Sequence, residues 1–295
     1  MNAFKAYHPL VNFLYFAFVI VFSMFFMNPI CLGISIVCAF TYSVVLDGTK
    51  AVKFNLIYML PLMLMAALIN PAFSHEGITI LAYLPSGNPL TLESIIYGIG
   101  AAVMLGSVIC WFACYNKVMT SDKFIYLFGR VIPSLSLILS MVLRFVPRFK
   151  EQLKVIASAQ RAIGRDVSQG SIIQRAKNGL TILSIMTTWA LENAVETSDS
   201  MKSRGYGLKG RTAFSIFTFT KRDLIALVII ITTAIYIIVG SMMGAIQFSY
   251  YPYIKTAEIN LYSLSIYSAY FMLCIMPVYI EGKEAHKWKS IKSKI

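Results

Sequence analysis

Charge is what this sequence has least of. Only 13% of its 295 residues are charged, whereas 58% are hydrophobic and the mean hydropathy is +0.70. A soluble core of this length cannot bury so much apolar surface, so a bilayer must act as solvent. Acids are the scarcer sign, 13 against 26 basic residues, for a net charge of +13. Basic residues flanking apolar runs set topology and meet phospholipid, and without a nucleic-acid fold they argue against nucleic acid as a partner. His8, His75 and His286 are too dispersed for a metal path. Cys31, Cys38, Cys110, Cys114 and Cys274 all sit inside apolar runs. They read as small core residues, and no metal or cofactor site is expected. No G-x-x-x-x-G-K-[ST] phosphate loop occurs, which excludes the chain from being the ATP-binding subunit of its own machine. No small-x-small cleavage site follows the first apolar stretch, which reads as a first span rather than a cleaved leader.

What is present is a series of apolar runs near the 20 residues that a helix needs to cross hydrocarbon. They cover residues 10–27, 29–46, 54–73, 94–116, 224–243 and 261–280. The fold class is therefore all-α, a polytopic membrane protein with five or six transmembrane helices. Asn28-Pro29 separates the first two runs and predicts a tight helical hairpin. The loop 74–93 holds no Lys or Arg, whereas Lys50 and Lys53 mark the loop before the third run. With Lys5 inside, six crossings put that loop, the region 117–222 and the tail from Lys283 all inside. A prokaryotic plasma membrane with both termini cytoplasmic is the expected location.

The region 117–222 breaks the pattern, carrying 17 of the 26 Lys and Arg residues and six acids. Three parts follow: N-terminal spans over 1–117, a cytoplasmic region over 118–220, and C-terminal spans with a basic tail over 221–295. Residues 131–145 and 172–191 are apolar but interrupted by polar side chains, as in amphipathic or buried helices. Ser171-Ile-Ile-Gln174 has the capping-box pattern, and Gly164 and Gly205 suit the C′ positions of two helix ends. Two long helices are predicted, about 133–163 and 171–204. Each ends on a basic tip, Gln160-Arg161-Ala162-Ile163-Gly164 and Met201-Lys202-Ser203-Arg204-Gly205-Tyr206-Gly207. There the helix dipole favours a cation. Arg144 and Arg148 flank Pro147, which should kink the first helix.

On these residues, with Leu143-Arg144-Phe145-Val146-Pro147, Ala159-Gln160-Arg161, His8-Pro9-Leu10 and Asn28-Pro29, the chain resembles the T component of energy-coupling factor (ECF) transporters, the EcfT/CbiQ family that includes the CbiQ-type cobalt permease subunit. The resemblance runs over nearly the whole chain. It implies two cytoplasmic coupling helices, each tipped by an Ala-Arg-Gly triplet that docks on one of two ABC ATPase subunits. Ser203-Arg204-Gly205 fits with Ser for Ala. In Ala162-Ile163-Gly164 an isoleucine stands where arginine is expected, leaving the flanking Arg161 or Arg165 to supply the charge, with Arg204 taken first and Arg161 second. The resemblance also implies a small substrate-binding membrane subunit that chooses the cargo, whether a metal ion, a vitamin or a vitamin precursor. ATP and Mg²⁺ would be used by the partner ATPases, and this chain would bind no cofactor and catalyse nothing itself.

Two rival readings remain. An ordinary ABC importer permease also presents a cytoplasmic helix to ATPases, but with one short docking loop. A membrane-embedded Mg-dependent lipid-phosphate enzyme would need clustered carboxylates, for which Glu192, Glu196 and Asp199 come closest. With Arg161, Arg165 and Lys202 nearby, those acids are expected to pair between the crossing helices instead.

Overall fold

The computed structural model describes residues 3–83, 88–129, 132–206, 208, 217–258 and 260–292. Val131, Gly207 and residues 293–295 of the basic tail, all invoked above, lie outside them. Among the described residues the helices are α1 (Pro9–Phe25), α2 (Pro29–Asp47), α3 (Thr49–Phe73), α4 (Leu92–Val118), α5 (Ser121–Gly129), α6 (Pro133–Ala162), α7 (Ile172–Ser203), α8 (Lys221–Met242) and α9 (Leu261–Lys292). The chain divides into two compact units. Unit 1 is Met1–Phe124 with Phe217–Ile295, and unit 2 is Ile125–Ile216.

Unit 1 is a helical bundle. Five of its helices, α2, α3, α4, α8 and α9, are long and apolar enough to cross a bilayer. The sixth, α1, has only 17 residues, a length of about 25 Å. It nevertheless runs from one end of the bundle to the other. At its start the His8 amide donates to Asp223 of α8 (3.0 Å), and just past its end Asn28 donates to the Ile246 carbonyl (3.4 Å). Both of the first two helices begin alike, with a capping side chain and proline in the first turn. His8 Nδ1 accepts from the Leu10 amide and Asn28 Oδ1 from the Ile30 amide. Proline costs nothing there because its missing N–H would have no helical partner.

Two boundaries and one internal turn differ from the sequence reading. Lys50 and Lys53 lie inside the first turns of α3, not in a loop, because Gly48 (φ +59°) makes the whole reversal by itself. α3 contains a π-helical turn at Asn55–Met59. α9 continues as helix to Lys292, through Pro277 and Gly282 and into the basic tail. The all-α class holds, although two small antiparallel hairpins join spans: β1 (Ile80–Tyr83) with β2 (Pro89–Thr91), and β3 (Phe248–Ser249) with β4 (Lys255–Thr256).

α4 is the centre of the bundle and packs on α1, α2 and α3, while α9 packs on α2 and α8. Trp111 of α4 is fully buried and donates through Nε1 to Ser35 Oγ (3.0 Å), which in turn lies 2.6 Å from Ser23 Oγ. Polar side chains inside an apolar bundle survive only with such partners. All five cysteines are buried and free. Where α4 meets α3, small residues let the backbones approach. A Cβ at Gly98 would stand 2.7 Å from the Ala67 carbonyl oxygen. Backbone cannot yield there as a flexible side chain could.

In unit 2 the turn between α6 and α7 is held by side chains. Asp166 Oδ2 accepts from Ser168 Oγ (2.6 Å) and Oδ1 from the Ser168 amide (3.1 Å). The half-enclosed Asp166 backbone is fixed by buried Asn178, whose Nδ2 donates to its carbonyl (2.9 Å), and Arg175 Nε donates to the Val167 carbonyl (2.8 Å). Ser171 caps α7 by accepting from the Gln174 amide (3.3 Å), but the reciprocal half of the capping box is missing: the Gln174 amide group reaches forward to Asn178 (3.4 Å).

Three outcomes are expected. Gly98→Val should lower the thermal midpoint of the chain in detergent, corresponding to about 1–3 kcal/mol of overpacking. Gly33→Ala, where a Cβ meets nothing within 4 Å, should leave the midpoint unchanged or raise it. Hydrogen bonds from Ser168 hold the Asp166 carboxyl below the usual carboxylate range. A depressed value means that the turn's stabilisation is complete above the ordinary carboxylate value and is lost only as pH falls through the lower one. Amide exchange at Ser168 should therefore stay slow on acidification until pH is below the ordinary Asp range, and Asp166→Asn should remove that dependence.

Candidate functional site: two basic helix tips

The last four carbonyls of an α-helix lack amide partners within the helix. α6 and α7, with 30 and 32 residues, meet that requirement in the same way. At the end of α6 the Gly164 amide donates to the Arg161 carbonyl (3.0 Å) and the Arg165 amide to the Gln160 carbonyl (2.9 Å). At the end of α7 the Gly205 amide donates to the Lys202 carbonyl (3.0 Å) and the Tyr206 amide to the Met201 carbonyl (3.0 Å). Both are Schellman closures, which need a residue with positive φ. Gly164 (φ +78°) and Gly205 (φ +77°) supply it.

This shared closure aligns the two tips residue by residue. Ala162 corresponds to Ser203, Ile163 to Arg204, Gly164 to Gly205, Arg165 to Tyr206, and Arg161 to Lys202. The Ser203 hydroxyl turns back to the Ser200 carbonyl (2.9 Å), so it presents little more than an alanine would. Arg204 is exposed and makes no ion pair among the described residues. Its counterpart Ile163 is 62% exposed, an uncovered apolar side chain where the other tip has a guanidinium.

The two candidates for the missing charge behave differently. Arg161 Nε lies 3.3 Å from Asp166 Oδ2 and is drawn into its own turn. Arg165 is exposed and makes no ion pair among the described residues. Of the pairs expected between the crossing helices from Glu192, Glu196 and Asp199 to Arg161, Arg165 and Lys202, none joins α6 to α7 among the described residues. Asp199 lies 3.9 Å from Lys202 on its own helix, and Glu192 and Glu196 make no ion pair among the described residues. Arg161 goes to Asp166 because that acid is five residues away across a closed turn. Among the described residues no three His, Cys, Asp or Glu side chains are gathered to hold a metal.

α6 and α7 are joined by an aromatic contact that the sequence reading passed over. Phe149 meets Trp189 edge to face at 5.4 Å between ring centroids, and the Arg148 guanidinium lies 5.7 Å from the Trp189 ring. Arg144 lies 5.5 Å from the ring of Phe145 on its own helix. The available signal was a lone Trp in a polar-interrupted helix opposite an Arg-Phe pair. Large apolar side chains remain uncovered in unit 2, including Ile138, Val142 and Val146 on α6 and Leu180, Leu191 and Val195 on α7. The first three recur every four residues, so they form one stripe. Chemically, unit 2 offers exposed guanidinium groups on rigid ends and apolar helix faces.

Comparison with known proteins agrees with this arrangement. The chain is similar to energy-coupling factor transporter transmembrane proteins named EcfT: it is 39% identical to that of Lactobacillus helveticus over 97 residues, 32% of this chain and 35% of that protein. It is 34% identical to that of Brevibacillus brevis over 113 residues (38% and 42%) and 33% identical to that of Staphylococcus aureus over 119 residues (40% and 44%). Each match thus spans less than half the length of these curated relatives. A family model described as CbiQ, cobalt transport protein, matches residues 2–216. That stretch contains both tips and all of the bundle's first four helices, and by it the chain belongs to the CbiQ family of cobalt transport proteins.

Proposed function

We propose that this chain is the transmembrane coupling subunit of an ECF-type ABC importer. One observation carries the reading: two long helices in one unit end in matching, glycine-closed tips, one of which presents an arginine with no ion pair among the described residues at the position of the closure where the chain leaves the helix. Two ATPase subunits would receive one tip each. A guanidinium is permanently charged and planar, and can keep two hydrogen bonds to carboxylate or carbonyl oxygens while its seat moves. Arg204 takes this role at the second tip. At the first, Arg165 takes it in preference to Arg161, whose charge is already engaged by Asp166.

The partner ATPases bind ATP and Mg²⁺ and hydrolyse the nucleotide, while this chain supplies no catalytic group. Their closure would swing α6 and α7, and the uncovered apolar faces of those helices would carry a small substrate-binding membrane subunit that selects the metal ion, vitamin or vitamin precursor. The location is the plasma membrane of a prokaryote, with lipid around unit 1. Supporting a cytoplasmic placement of both termini and unit 2, the segment joining α3 to α4 has no Lys or Arg, whereas Lys5, Lys123, Arg222 and Lys283 flank the opposite ends of the spans.

Arg204→Glu should abolish copurification with the ATPase pair while membrane insertion is kept. Reversing a charge that is desolvated in a complex costs about 2–5 kcal/mol, a loss of at least about thirtyfold in affinity. Arg165→Glu should weaken assembly, and Arg161→Ala should do so much less. Normal assembly of the Arg204→Glu chain would overturn the docking role, and a larger effect of Arg161 than of Arg165 would reverse their assignment.

A further inference from the structure

Unit 2 is tied to unit 1 by two stretches of chain, one leaving after Phe124 and one returning at Phe217. Close to both crossing points, within unit 1, lies the short segment of residues 3–8 that precedes α1. Its 3₁₀ turn Phe4–Ala6 begins with an anchor: Phe4 is fully buried among Tyr7, Tyr15, Phe16 and Tyr42, with ring centroids 5.1–6.4 Å away. The Ala3 and Phe4 amides both donate to the Glu281 carboxylate of α9 (2.9 and 3.1 Å). This leaves the carbonyls and rings of residues 5–8 facing the two tethers.

On the outgoing side Lys123, one residue before the boundary, is only 5% exposed and donates through Nζ to the Lys5 carbonyl. With the Asn12 amide turned so that its nitrogen donates to the Phe4 carbonyl, its oxygen lies 2.7 Å from the same Nζ. Lys123 has no carboxylate partner among the described residues. Burial, and then the neighbouring Lys5, pushes its ammonium down to about 8. Burying an ammonium against carbonyls alone is costly, and a lysine here could reach water by snorkelling instead.

On the returning side three residues meet the same segment. The Phe219 ring stands edge to face on His8 at 5.1 Å. The Arg222 guanidinium lies 4.2 Å from the Tyr7 ring centroid and donates to the Ala6 carbonyl (3.3 Å). Asp223 is 2% exposed; its Oδ1 accepts from the His8 amide (3.0 Å) and its Oδ2 from the Thr220 amide and hydroxyl (2.9 and 2.6 Å), so one carboxylate closes both the cap of α8 and the N-terminal segment.

We infer that residues 3–8 form a clasp that pins both tethers of unit 2 to the bundle, and that Lys123 and Asp223 are positioning residues for energy coupling. Through the clasp the two points at which the chain leaves and re-enters unit 1 are fastened to one segment, and through it to α1, α8 and α9. The clasp itself stands on the contacts above, whereas its coupling role rests on the importer reading.

Two measurements test these parts separately. In the whole chain in detergent, hydrogen exchange at the bonded amides of Phe4, Ala6, Tyr7, His8, Phe124, Thr220 and Asp223 should be slow and should quicken together. Lys123→Met should speed exchange at Thr220 and Asp223, and Asp223→Asn at Phe124, each by at least about tenfold while the α4 core is unchanged. Free exchange of residues 4–8 in the unaltered chain, or loosening confined to the mutated tether, would overturn the clasp. In proteoliposomes containing the chain, two ATPases and the substrate-binding subunit, both variants should assemble and hydrolyse ATP while substrate taken up per ATP falls at least about fivefold, the signature of lost coupling rather than lost folding. An unchanged ratio, or an equal fall of uptake and hydrolysis, would overturn the positioning role. Failure of the Arg204→Glu test would remove the docking reading and leave the exchange result standing.

Discussion

The ends of two helices govern what unit 2 can present. A helix of about 30 residues leaves carbonyls that demand donors at its last turn, and both α6 and α7 obtain them by turning through a glycine with φ near +78°. That closure decides which side chain occupies the turning position, how far the flanking cations stand from the helix axis, and which of them fold back. Arg204 is left outward by it. Arg161, two positions earlier in its own turn, is instead within reach of Asp166. Exposed ion pairs of this kind contribute little stability, so the effect of Asp166 is chiefly to occupy a charge and to order the link into α7.

Unit 1 answers a different demand, the need to satisfy polar groups where water is absent. It does so with short local links rather than ionic networks. Ser23, Ser35 and Trp111 form one chain, Tyr15 donates to the Cys274 carbonyl, and Asn28 joins the first hairpin to Tyr267 (2.9 Å) and Ile246. At one end of the bundle Glu281, Asp223, Arg222 and Lys123 all contact the residues before α1. In that cluster carboxylates hold backbone amides and cations hold carbonyls.

Much of this was legible without coordinates. Apolar run length gave the spans, and Asn28-Pro29, Gly164 and Gly205 marked turns through conformational requirements that few residues meet. The ends of α6 and α7 fell within a residue of expectation for that reason. Lys50 and Lys53 were misplaced because a charge within the first turns of a helix looks like a loop charge in one dimension. Burial of Lys123 was hidden, since its partners are backbone atoms of residue 5 and an amide of residue 12. The Thr220-x-x-Asp223 box was readable in principle, yet Asp223 also serves the His8 amide, 215 residues away, and no local pattern encodes that. The pairing of Arg161 with Asp166 required knowing that the chain reverses at Gly164.

The π-helical turn in α3 explains how that span stays aligned with its neighbour. Ala51, Asn55 and Met59 are buried, Met63 lies against Gly106, and Ala67 and Pro71 lie against Gly98. These positions recur every four residues, a spacing at which a regular α-helix rotates by about 40° per step. Over five steps such a stripe would wind to the far side of the rod. The wider turn at Asn55–Met59 rotates the other way. Five residues in the first half of the helix therefore cancel part of the accumulated twist, so the stripe winds less far from α4 than it would on a regular helix.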